Sequence, residues 1–267
     1  MSIKLGSTSI SKLYLGSTEI QKAFLGSTEV FTVNGGAWTP AKLSTELWLD
    51  ASDSGTITES SGAVSQWADK SGNENNVSQA NSSLQPLTNT NTLNSKNVIY
   101  FDGSDLMNAT FEATLTQPNS VFAVFKRKNL DSFLFDGVND INRHTFTFYL
   151  ADSKYFSFAG SLLFGSVSDT NAHMMGSVYN SNSSEIFIDG TSDAKGDVGT
   201  QDMDGITLGG RYNGQQYYDG DIAEIIVVDD ILSESDRQKL EGYLAHKWGL
   251  EGNLPALHPY KSSPPTV

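Results

Sequence analysis

The sequence predicts an all-β fold, and three observations predict it. Charged residues make up only 18% of the 267 residues. Gly, Ser, Thr, Asn and Asp crowd the segments between short apolar runs, and those runs are rich in Val, Ile, Phe, Tyr and Thr, side chains that suit a pleated, half-buried surface. The chain is long enough to bury a sizeable core in such a fold.

The first element is a repeat. Leu-Gly-Ser-Thr is written three times, beginning at Leu5, Leu15 and Leu25. Each copy reads as a strand and a turn, with Gly6, Gly16 and Gly26 where the chain reverses and Ile10, Ile20 and Val30 restarting the strand. A small meander and one wall of a β-solenoid both fit this pattern. About 33 residues of ribbon cannot close a core alone, so Leu5, Leu13, Leu15, Phe24, Leu25 and Phe31 are expected to be covered from outside. Residues 1–33 are therefore read as a docking or oligomerisation module, with packing onto the chain's own main domain as the alternative. Gly35, Gly36 and Pro40 then mark an expected linker over 34–42.

The main domain, 43–267, shows ten strand-like runs: ELWLDA, NVIYFDG, SVFAVFKRK, SFLFDG, HTFTFYLAD, YFSFAG, AHMMGSVYN, EIFIDG, GITLGG and DIAEIIVVDD. With almost no helical periodicity between them, they are expected to pair antiparallel as a two-sheet sandwich or jelly roll. One helix is signalled near the end. Ser233 is its N-cap, Asp236 stands in capping-box position, and Leu240, Tyr243, Leu244, Lys247 and Trp248 recur at helical spacing before Gly249 stops it. Trp48 and Trp67 are expected in the core.

Charge and composition narrow the function classes. A formal charge of -14 repels phosphate backbones and anionic lipid, so no nucleic-acid partner and no membrane insertion are expected. The absence of cysteine excludes disulfides and thiolate chemistry. Paired catalytic carboxylates need even spacing to share a face of one strand. Glu224 with Asp229 faces opposite ways, Glu224 with Asp230 lies about 20 Å apart at strand rise, and Asp219 with Asp221 sits at a turn. His144, His173, His246 and His258 have no metal-ligand spacing. The expectation is a protein that is not an enzyme and requires no cofactor. Oxygen ligands for calcium abound in the loops (Asp50, Asp53, Asp69, Asn73, Asn75, Asp102, Asp105, Asp136 and Asp140), but turn chemistry explains the same residues. For a ligand, the best stretch is RYNGQQYYDGD. Arg211, Tyr212, Asn213, Gln215, Gln216, Tyr217 and Tyr218 offer aromatic faces beside amides in a Gly-flanked loop, with a hairpin packing its tyrosines on the sheet as the alternative.

The segments LWLDASDSG, VSQWADKSGNENN, NVIYFDGSD and YYDGDIAEIIVVDDILSESDRQKLEGYLAHKWGL, followed by NLPALHPYK, resemble laminin-G-like, concanavalin A-like jelly-roll domains. The Leu-Gly-Ser-Thr decapeptides are similar to the N-termini of bacteriophage virion proteins. The resemblance implies a jelly roll that binds glycans or proteins, carried on a fibre, spike or decoration protein. Other virion proteins, sister chains in a homo-oligomer and a host-surface glycan are the implied partners. The outer virion surface is the implied location, with a free-standing extracellular or cell-surface adhesin as the alternative.

Overall fold

In the computed structural model the described residues are 36–128, 132–149, 154–167 and 169–267, together with the backbone of six short strands between residues 4 and 32. Those six pair two by two: Lys4–Leu5 with Thr8–Ser9, Leu13–Leu15 with Thr18–Ile20, and Lys22–Leu25 with Thr28–Thr32. The registers Leu5 to Thr8, Leu15 to Thr18 and Leu25 to Thr28 leave Gly-Ser between the paired ends of every copy, the composition that two-residue hairpin loops favour. The side chains of Leu5, Leu13, Leu15, Phe24, Leu25 and Phe31, named above for docking, lie outside the described residues.

The rest is an antiparallel β-sandwich. Its strands are β1 (Thr45–Asp50), β2 (Ile57–Ser60), β3 (Ala63–Trp67), β4 (Val77–Ser78), β5 (Ile99–Asp102), β6 (Met107–Leu115), β7 (Asn119–Arg127), β8 (Ser132–Asp136), β9 (Thr145–Tyr149), β10 (Lys154–Phe158), β11 (Leu162–Val167), β12 (Ala172–Tyr179), β13 (Ser184–Ile188), β14 (Thr191–Gly196), β15 (Met203–Leu208) and β16 (Asp219–Val228). One sheet runs β11-β10-β9-β8-β15-β6-β4-β3-β2, and the other runs β5-β16-β7-β12-β13-β14 with β1 also on β16. A small ribbon of Thr92–Leu93 and Lys96–Asn97 stands apart.

The core lies between the sheets. Val121, Phe122, Ala123, Val124 and Phe125 of β7 and Ile225, Ile226, Val227 and Val228 of β16 are buried, continuous apolar runs as a strand covered on both faces requires. Phe125 meets Phe146 and Tyr155 of the facing sheet at ring-centroid distances of 6.3 Å and 6.1 Å. Each such fully buried side chain contributes about 1.5–3 kcal/mol.

The expected helix is present as α1 (Glu234–Trp248). Ser233 Oγ accepts the Asp236 N–H, and Gly249 closes the helix at φ +73°. It buries Leu240, Leu244 and Trp248, as its spacing predicts. The expected linker departs from the sequence reading. From Gly36 on it belongs to the sandwich: Trp38 is buried edge-on against Tyr243, its N–H bonds the Pro265 carbonyl, and Ala37 bridges Thr266.

The segments that carry the family resemblance meet in a clasp under α1. Glu224 is fully buried and receives the indole N–H of Trp48 (2.7 Å), the indole N–H of Trp248 (2.7 Å) and the Tyr243 hydroxyl (3.1 Å). Lys247 Nζ lies 2.7 Å from both Glu224 and Asp50. Lys70 binds Asp50 and Asp53 at 3.0 Å and 2.7 Å with its ammonium over the Trp48 ring. Burial pushes the Glu224 carboxyl upward while Lys247 pulls it back. On the far side of α1, His258 Nε2 lies 3.1 Å from Glu241. These motif residues hold the helix to the sandwich.

Candidate functional site

The candidate site is a cleft on the nine-stranded sheet, on the face turned away from the core. Alternation along β9 and β10, and a bulge between Phe133 and Phe135 in β8, create it. Phe135, Phe146 and Tyr155 point inward, while Phe133, across the bulge, joins Thr145, Thr147, Phe156 and Phe158 on the other face. The register sets Phe133 opposite Thr147, Thr147 opposite Phe156, Thr145 opposite Phe158, and Phe158 opposite Leu162. Two small threonines therefore run between walls of phenyl rings. Their hydroxyls are turned onto Asp136 and the Ser132 carbonyl, which leaves a trough of about 170 Å³ lined by Phe133, Arg143, Thr145, Phe156, Phe158, Leu162 and Arg211. At its edge Leu162 and Phe164 remain 51% and 47% exposed, an apolar strip continuous with the walls.

Its polar groups are fixed from below. Asp136, fully buried at the end of β8, takes a two-pronged ion pair from Arg143 (Nε at 2.6 Å, Nη2 at 2.9 Å) together with the Thr145 hydroxyl and the backbone N–H groups of Gly137 and Tyr212. Bidentate pairing of this kind fixes the plane of the guanidinium. Arg143 then stands 5.1 Å from the Phe158 ring and 5.2 Å from the Tyr212 ring, and Arg211 stands 5.7 Å from the other cation's partner ring, Tyr212. The loop that delivers Arg211 turns on Gly209 (φ +82°), where a Cβ would strike Phe101, and on Gly214 (φ +72°), whose N–H bonds the Arg211 carbonyl.

The loop expected to bind ligand divides. Arg211 lines the trough, and Tyr212 buttresses both guanidiniums. Asn213, Gln215 and Gln216 are exposed at the loop tip, and Tyr217 is half-buried. Tyr218 is corrected outright: it is fully buried in the core, edge-on to Phe101 at 6.4 Å, and cannot present a face to solvent. Sequence reasoning missed Phe133, Arg143, Phe156 and Phe158, and offered Asp136 only as a loop oxygen for calcium. The available signal was YFSFAG, where aromatics fall on both faces of one strand and the small Ser157 takes an inward position.

Six of the aspartates considered for calcium serve turns and ion pairs: Asp50, Asp53, Asp69, Asp102, Asp105 and Asp136. Asp69 accepts the Trp48, Ser71 and Asn75 N–H groups and the Ser71 hydroxyl, Asp102 accepts Ser104, and Asp105 accepts the Asp102 N–H. Among the described residues no three His, Cys, Asp or Glu side chains converge on a metal position. Larger clefts also occur among the described residues. One of about 630 Å³ is edged by Glu46, Glu74 and Glu112; one of about 450 Å³ lies beside α1, where Lys195 and Arg237 are paired with Glu185 and Glu241; one of about 240 Å³ is lined by Asn91, Thr92, Lys126, Lys128 and Asp221. None of these three combines aromatic walls with an unengaged cation.

No family model matches the sequence, and no curated protein matches it. Solved structures share the fold. Domain 4 of AbnA, an extracellular arabinanase from Geobacillus stearothermophilus in complex with arabinotriose, is 14% identical with TM-score 0.55, over 74% of this chain and 98% of that one. A Trypanosoma rangeli sialidase in complex with sialic acid is 13% identical with TM-score 0.54, over 85% of this chain and 36% of that one. The botulinum neurotoxin serotype D ligand-binding domain in complex with N-acetylneuraminic acid is 14% identical with TM-score 0.53, over 74% of this chain and 50% of that one. The chain is a jelly-roll-like β-sandwich. It spans about a third of the sialidase chain and half of the toxin chain it matches.

The comparison also corrects the expectation that the chain is not an enzyme. The solved structures that share its sandwich include an arabinanase domain and a sialidase, so the fold is one that enzymes also use. The carboxylate-spacing argument tested only pairs within one strand. The fold brings carboxylates of separate strands together, as Asp50 of β1 and Glu224 of β16 show by sharing the Lys247 ammonium.

Proposed function

We propose that the sandwich recognises carbohydrate in the cleft formed by β8, β9, β10 and the Arg211 loop. The observation that carries this reading is a trough on an outward sheet face with phenyl walls, the Arg143 guanidinium fixed on Asp136, and Arg211 along its lining. Sugar rings present apolar faces that pack on aromatic rings, while their hydroxyls need rigid donors and acceptors. At about 170 Å³ the trough is smaller than the clefts of ~300–1,000 Å³ that enclose drug-sized ligands, so it suits one ring or one chain end. Carbohydrate complexes among the fold's neighbours support the reading.

The test is a glycan array followed by titration of the full chain with the glycans it retains, with reducing-end release assayed in the same samples. Binding that falls about tenfold or more in Phe158→Ala, at unchanged melting temperature, supports the cleft. Binding that Phe158→Ala leaves intact places the sugar elsewhere and overturns it. Release of reducing ends that Phe158→Ala abolishes makes the cleft a catalytic one.

From the opening repeat and the motif resemblance we further propose a laminin-G-like protein of a phage particle. Residues 1–33 attach it to sister chains or other virion proteins, and the sandwich is displayed outward toward a host glycan. A chain lacking 1–33 is then expected to fold and to stay off the particle; incorporation without them overturns this arrangement.

A further inference from the structure

We infer that the glycan received by this cleft is acidic, with a carboxylate or sulfate group seated on Arg211. The inference rests on the carbohydrate reading above and deepens it. The chain has four arginines. Arg127 Nε donates to the Asp169 carbonyl at 2.8 Å, Arg143 forks onto Asp136, and Arg237 pairs with Glu241. Arg211 differs from these three. Its guanidinium lines the trough, and its Nε is buried with no hydrogen-bond partner among the described residues. The terminal N–H groups are not among its buried atoms and no carboxylate is paired with them among the described residues, so they are the donors a ligand oxygen in the trough can meet.

The carboxylate at the cleft cannot supply the missing acceptor. Asp136 already serves Arg143, the Thr145 hydroxyl and two backbone N–H groups. The cleft thus holds two guanidiniums and one carboxylate, which is paired with Arg143 alone, and this leaves about one unit of positive charge in a chain of net charge -14. The overall field repels anions, so an anion held here owes its affinity to the local fork. Carboxylate and sulfate oxygens match that fork and bind roughly twice as strongly as a neutral acceptor. Tyr212, against which both cations stand, keeps Arg211 aimed at the trough.

The experiment titrates the full chain with paired oligosaccharides: oligogalacturonate and its carboxyl-reduced form, a sialylated glycan and its desialylated form, and a sulfated glycan and its desulfated form. At least one acidic member is expected to bind about tenfold or more tightly than its neutral partner. Arg211→Gln should abolish that preference and Arg211→Lys retain part of it, at a common melting temperature. Equal affinity within the pairs overturns the acidic ligand and leaves the carbohydrate reading standing. Failure of both members of every pair to bind overturns both. A preference that survives Arg211→Gln removes Arg211 from its recognition.

Discussion

At the scale of single residues, two buried titratable groups set opposite limits on pH. Asp105 closes the FDGSD turn, and burial beside Asp102 pushes its carboxyl up to about 7. The folded protein keeps a proton there that the unfolded chain releases near pH 4. Its stability contribution is therefore full in acid and is lost as pH rises from about 4 through 7. Asp105→Asn keeps an acceptor for the Asp102 N–H and should flatten this slope in melting temperatures measured from pH 4 to 8. His144 has the opposite sign. It is fully buried, stacked on Tyr179 at 4.0 Å, and burial pushes its imidazole down to about 4. The unfolded chain takes up a proton below about 6.5 that the folded one refuses, so stability present above that pH is lost as it falls toward 4. His144→Gln should remove that acid-side loss in the same series.

At the scale of elements, the clasp beneath α1 explains why the legible parts of the sequence and the candidate site are different parts. The recognisable segments supply Trp48, Asp50, Lys70, Glu224, Tyr243, Lys247 and Trp248, and all of these meet under the helix. Removing one partner of a buried ion pair strands the others. Lys247→Met should therefore lower unfolding free energy by about 3–5 kcal/mol in denaturant melts, and Ser233→Ala, which only removes the helix cap, by about 1 kcal/mol. The ten strands read from the sequence all form, because their apolar runs have no other place to go. Strand β6 was legible in principle, since Met107, Ala109 and Phe111 alternate with exposed Asn108, Thr110 and Glu112 at the period of a half-buried strand, whereas β14 carries Ser192, Asp193 and Lys195 along a sheet edge and gives no such signal. The site was half legible. The Arg211 loop announced itself by Gly and Tyr content, whereas Phe133 and Phe158 become neighbours of one trough only through the register of three strands.

At the scale of the whole molecule, the sandwich closes its core with described residues from Trp38 to Leu254. A chain begun at residue 36 should melt within about 1 °C of the full one, less than the ~2–4 °C that 1 kcal/mol moves a domain of this size. A chain begun at residue 43 loses the buried Trp38 and the Ala37 to Thr266 bridge and should melt several degrees lower, since emptying a buried Trp site costs ~3–5 kcal/mol. The helix clasp and the two sheets thus form a rigid support, and the outward trough is where its chemistry is displayed. The most direct measurement of that claim is calorimetric titration of the full chain, native against Phe156→Ala/Phe158→Ala, with the oligosaccharide that binds best on an array. The account expects the double variant to keep its melting temperature and lose binding. Unaltered affinity in the variant would contradict it.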